Sequence, residues 1–141
     1  MIYGLPELFA DQIPGADLAA NPGCYSTAAA LAIAPVVQRG LVRSDGIVIH
    51  AASGISSAGR TAKPHLHFPE MNEAYAPYAP GTHRHQPEIE QTLSEVSGSP
   101  VSLLFTPHYL PVDLGILGSI YMDPVNEDVT QEDLFTAFEE V

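Results

Sequence analysis

The sequence predicts an α+β domain in which helices cover one face of a mixed, largely antiparallel sheet. Three observations carry this expectation. Runs at 46–53 (GIVIHAAS), 101–107 (VSLLFTP) and 115–122 (GILGSIYM) read as strands. Three stretches starting near residues 24, 86 and 130 carry helix signals. A length of 141 residues suits one compact unit with a core of its own, and no internal repeat divides it.

Residues 1–23 are rich in Pro and Gly and short of periodicity, so they read as an irregular lead-in with one short strand around Leu18 to Ala20. From Cys24 the pattern turns helical, carried by the apolar run Ala28 to Val37 and stopped near Gly40. Pro35 is expected to kink its last turn. That run is too short and too rich in alanine to span a bilayer. After the 46–53 strand, residues 54–86 hold several prolines and no steady period, and an irregular stretch of that length usually serves function. The 86–98 helix is marked by Pro87 at its first position, Glu88 and Glu90 near its start, an Ile89–Leu93–Val96 stripe and Gly98 at its stop. A turn around 108–114 is expected between the last two strands. The final helix starts near Thr130 with an approximate capping box to Asp133, and Leu134, Phe135, Phe138 and Val141 are expected to face the core.

The net charge of −12, from 17 acidic and 5 basic residues, leaves little to neutralise phosphates, which excludes nucleic acid as a partner. A single cysteine forms no intrachain disulfide, and no leader pattern opens the chain, so a cytoplasmic protein without a membrane segment is expected. In so acidic a chain, an anionic ligand must be held by local donors. Arg60, Lys63 and Arg84 lie close in sequence to most of the histidines.

Cys24 follows Pro22-Gly23 and precedes the alanine-rich helix, so its sulfur is expected at the helix N-terminus. There the positive end of the helix dipole favours a thiolate, and free backbone N–H groups offer an oxyanion hole. The competing reading is a small packing residue. A thiolate enzyme needs an acid or base within hydrogen-bond reach, and His83 or His85 supplies one; spacing does not choose between them. His65-x-His67 and His83-x-His85 also raise a zinc site, but their prolines argue against regular strands, no second cysteine joins them, and no metal is expected. The stretch SGISSAGR (53–60) is a donor-rich turn able to approach a phosphate or carboxylate.

Together, NPGCYSTAA (21–29), SGISSAGR, HRHQPEI (83–89) and FTPHYLP (105–111) resemble, in order and rough spacing, the motifs of N-acetyl-γ-glutamyl-phosphate reductases, relatives of aspartate-semialdehyde dehydrogenase. The likeness covers nearly the whole chain. It implies a domain like the second domain of glyceraldehyde-3-phosphate dehydrogenase-like enzymes, forming at least a dimer. It implies that Cys24 attacks the γ-acyl phosphate to give a thioester. NADP(H) then reduces it through a hemithioacetal to N-acetylglutamate 5-semialdehyde, with His83 as acid and base. By the same resemblance Arg60, Arg84, His85, Glu70 and Tyr78 are substrate contacts, and Ser53, Gly54 and Gly59 are cofactor contacts.

The sequence departs from the family pattern at Ser26 (commonly proline), Ser57 (commonly glycine) and Leu114 (often arginine), the last putting one anion or cofactor contact in doubt. No Gly-rich dinucleotide fingerprint is present, so the chain is expected to be the catalytic and dimerisation domain without its Rossmann partner. Two other readings stand beside this one. A lysine-pathway relative reduces aminoadipyl phosphate on an acidic carrier, which a charge of −12 disfavours; the other is a non-catalytic interaction module. The absence of the fingerprint predicts that calorimetry finds no micromolar NADPH binding to this chain and that the chain alone does not turn over; micromolar binding would overturn it.

Overall fold

The computed structural model describes residues 1–139; Val141 therefore lies outside the described residues. Its elements are β1 (Ile2–Tyr3), α1 (Pro6–Phe9), β2 (Ala19–Ala20), α2 (Cys24–Gln38), β3 (Ile47–Gly54), α3 (Phe68–Met71), β4 (Ala76–Pro77), α4 (His85–Ser97), β5 (Leu103–Leu110), β6 (Ile116–Tyr121) and α5 (Gln131–Glu139). The expected α+β class holds. Four strands form one mixed sheet in the order β4-β5-β3-β6. The β3–β5 pair is parallel along its whole length, and the β3–β6 and β4–β5 pairs are antiparallel.

Alternation along β3 explains the two layers. Ile47, Ile49 and Ala51 are buried with Leu103 and Phe105 of β5 against Ala29, Ile33, Ile89, Leu93 and Ala137 of the helices. Val48, His50 and Ala52 point to the other face, with their register partners Leu104, Thr106, His108, Leu117, Ser119 and Tyr121. Helices thus cover one face, and that layer holds the main core. No helix among the described residues is long and apolar enough to cross a membrane.

Several expectations are corrected. The lead-in is more ordered than its composition indicates: β1 pairs in parallel with β2, and Leu5 and Phe9 are buried beneath them with Ala30 of α2. Residues 54–86 hold 3-10 turns at Ile55–Ala58 and Pro64–Leu66, the short helix α3 and the edge strand β4. Helix α4 starts at His85, two residues before Pro87. Strand β5 continues through Pro107 to Leu110 where a turn was expected. The Pro107 carbonyl accepts from Tyr78 N–H on the β4 side, so the donor that proline lacks is missing from that edge and not from the ladder to β3.

Helix α4 also covers the remaining β5 edge. Glu90 Oε1 accepts from Leu103 N–H at 3.1 Å, and the Gln86 side chain donates to Leu103 O at 2.9 Å. At the other end of α4, Gly98 adopts φ +70° and closes the helix as expected. The Thr130–Asp133 box forms in both directions, with Thr130 N–H donating to Asp133 at 2.8 Å and Asp133 N–H donating to Thr130 Oγ1 at 3.2 Å. Its helix does not bury the aromatics, however. Phe135 is 62% and Phe138 is 47% exposed, because Leu134 and Ala137 take the inward stripe.

Phe105 has no exposed surface and joins β5 to α2 and α4. Phe105→Ala is expected to lower unfolding free energy in urea by about 3–5 kcal/mol, whereas Phe135→Ser stays within about 0.5 kcal/mol of the parent.

Candidate active site

Helix α2 begins at Cys24 itself, with Gly23 in extended conformation at its N-cap. The first intrahelical bond runs from Thr27 N–H to Gly23 O at 2.8 Å, so the amides of Cys24, Tyr25 and Ser26 have no partner within the helix. Cys24 is exposed, which removes it from the core and opposes the packing reading. Cys24 lines a cleft of about 240 Å³, with Lys63, His83, Arg84, Tyr78 and Tyr109 among the other lining residues. Two of the five cations in the chain are gathered there, and among the described residues no carboxylate lines it.

The histidines come from the turn into α4. His85 is buried and His83 is half-buried. His83 Nδ1 accepts from His85 N–H at 3.1 Å, which puts the proton of the neutral ring on Nε2. Burial, then the neighbouring His85 and Arg84, lower the His83 pKa from its ordinary value. Burial lowers His85 as well, against an opposing pull from Glu88. Both rings are therefore neutral at pH 7. The His85 ring reaches the nucleophile's turn only because residue 23 is glycine, since a Cβ there would overlap the imidazole, Nε2 included.

Aromatic rings wall the rest. Tyr25 meets His83 edge-on at 5.8 Å, and Tyr78 stacks on Tyr109 at 4.0 Å. Burial, then the nearby Tyr25, push the Tyr78 phenol well above its ordinary pKa, so it stays a hydrogen-bond donor.

Of the residues singled out from sequence, Cys24, His83, Arg84, His85 and Tyr78 meet in this cleft. Arg60 and Glu70 are exposed and are not among its lining residues. Ser53 is fully buried, its hydroxyl pairs with that of Ser57 at 2.9 Å, and it is not itself among the lining residues. Gly54 packs on the β5–β6 turn, where a Cβ would lie 2.7 Å from Asp113 O. Gly59 has φ +85°, and no atom lies within 4 Å of where a Cβ would stand. His108 lies on the opposite face of the sheet, its ring 4.2 Å from that of His50. Among the described residues no group of three or more His, Cys, Asp or Glu is arranged to hold a metal.

Sequence reasoning did not single out Tyr109, and it noted Lys63 only as a nearby cation and Ser57 only as part of the SGISSAGR turn, without placing either beside Cys24. Lys63 carried a signal, being one of few cations near the motifs. Tyr109 was hidden by the prolines on either side of it, although its two-residue spacing from Phe105 and Pro107 puts it on their face of β5.

A family model described as semialdehyde dehydrogenase, dimerisation domain, matches residues 24–141. The chain belongs to this family. Among the relatives of this semialdehyde dehydrogenase dimerisation domain are proteins named N-acetyl-gamma-glutamyl-phosphate reductase. Those of Symbiobacterium thermophilum and Rhodopirellula baltica are 51% and 46% identical over 140 and 137 residues, each match covering 97% of this chain and 40% of the relative. The chain thus spans about 40% of the length of the curated relatives it matches. Aspartate semialdehyde dehydrogenase II from Vibrio cholerae has the same fold, with a TM-score of 0.72 over 99% of this chain and 49% of that one, at 14% identity.

Because folding lowers both imidazole pKa values, the folded dimerisation domain binds fewer protons than the unfolded chain below about pH 6.5. Stability is present above that value and is lost as pH falls through it. The urea midpoint is expected to drop between about pH 7.5 and about pH 5.5, and His83→Gln is expected to make that drop smaller.

Proposed function

We propose that this chain is the nucleophile-bearing part of an NADP-dependent N-acetyl-γ-glutamyl-phosphate reductase of arginine biosynthesis. One observation carries the reading: the only cysteine of the sequence stands at a helix N-terminus and lines a cleft that gathers His83, Lys63 and Arg84, with no carboxylate lining it among the described residues. The names of the relatives supply the substrate.

The chemistry assigned to these residues starts with Cys24 as thiolate. It attacks the acyl carbon, the carbon–oxygen bond to phosphate breaks, and phosphate leaves with the bonding pair, so Cys24 holds a thioester. Lys63 and Arg84 balance the anionic acyl phosphate and its leaving group. His83 presents Nε2–H as donor to the carbonyl oxygen, and the free amides at the start of α2 share its developing charge. NADP(H), when bound by the rest of the enzyme, supplies hydride; from this chain, Ser56, Ser57, Gly59 and Arg60 are the exposed residues of the SGISSAGR turn.

The enzyme assembles as a homo-oligomer in this reading. Supporting it, the open face of the sheet carries Val48, Leu104, Leu117 and Tyr121 exposed and no Asp, Glu, Lys or Arg on β3, β5 or β6. A chain of charge −12 repels its copies least at such a face.

Without NADPH, thioester formation should stop at one turnover. Mixing the chain with N-acetyl-γ-glutamyl phosphate is expected to release phosphate in a stoichiometric burst and leave an acyl adduct on Cys24 by intact mass, with neither seen for Cys24→Ser. Folded parent protein that releases no phosphate and carries no adduct would sink the reading.

A further inference from the structure

We infer that Glu88 is a positioning residue whose carboxylate ties the backbone immediately before Cys24 to the first turn of α4, and so sets the nucleophile against His83 and His85. The inference rests on the proposed role of Cys24. Three segments far apart in sequence meet at one oxygen. Glu88 Oε1 accepts from Gly23 N–H at 3.1 Å and from Tyr3 Oη at 2.7 Å.

The tie answers a specific weakness. Gly23 must be glycine because the His85 ring occupies the space of a side chain, yet glycine is the least constrained backbone residue and has no side chain by which to be held. Its amide is therefore the handle. Glu88, three residues after His85 on the same helix, grips that amide while His85 packs on the Cα, so one turn of α4 sets both the position of residue 23 and the ring beside it. Tyr3 brings β1 onto the same oxygen, and β1 pairs with β2, the strand that leads into Asn21–Gly23.

The carboxylate stays charged there. Burial pushes the Glu88 pKa up, but the hydrogen bonds from Tyr3 and Gly23, with His85 nearby, outweigh it and hold the group below its ordinary range. Burial and the Glu88 carboxylate in turn push Tyr3 up to about 12, so Tyr3 remains the donor. The hydrogen bonds, not the charge, are what the nucleophile gains.

Iodoacetamide alkylation of Cys24, the single cysteine, tests this in the intact chain, with circular dichroism confirming the fold of each variant. Glu88→Gln keeps an oxygen that accepts both bonds and is expected to react within about twofold of the parent. Glu88→Ala leaves both donors without an acceptor and is expected to slow alkylation about tenfold. Glu88→Asp keeps the charge but is too short to reach both donors, and is expected to slow the reaction several-fold, which decides the matter should Glu88→Ala not fold. The inference is overturned if folded Glu88→Ala or Glu88→Asp reacts at the parental rate, or if Glu88→Gln slows as much as they do. These ratios stand whether or not Cys24 takes an acyl group from the phosphate substrate, so the two ideas fail separately.

Discussion

The approach of the His85 ring to the bare Cα of Gly23 is the constraint on which the rest of the cleft depends. It places α4 against the first turn of α2, the pair of helices that carry histidine and cysteine. Residue 23 can have no side chain, and Glu88 falls within reach of the Gly23 amide. Each of these follows from one close contact between two short segments that lie some sixty residues apart.

The sheet makes that contact reproducible. Parallel pairing of β3 with β5 brings the turn after β3, which carries Ser57 and leads to Lys63, to the same end of the sheet as Tyr109. Helix α4 then binds β5 through Glu90 and Gln86 side chains, so its N-terminus is held in register with the strand that supplies Tyr109. Polar residues on α4 serve here as edge protection as well as surface, which keeps β5 from offering an unpaired edge where β4 has ended.

Electrostatics separate the two faces. On the helix side, Lys63 and Arg84 create a local positive site within an acidic chain, and neutral histidines add donors without adding charge. On the open side, His50, Tyr75 and His108 form a compact group, with Tyr75 bonded to His50 Nε2 at 2.9 Å and stacked on His108 at 4.8 Å. His108 belongs to the same FTPHYLP run as Tyr109, yet the two side chains leave the strand in opposite directions. One motif thus serves both faces.

By itself the sequence determined the local features: a helix opening at Cys24, one closing at Gly98, a capping box at Thr130, a strand from Ile47, and a motif set specific enough to name a family. These depend on residues within a few positions of each other, through caps, dipoles and periodicity. Only the tertiary structure decided that β3 and β5 run parallel, that β5 passes through Pro107, that Phe135 and Phe138 stay exposed, and that Lys63, Tyr109 and Glu88 belong with the nucleophile. Those outcomes come from pairings between distant segments, where which face a residue takes is set by its partner's register and not by its own neighbours.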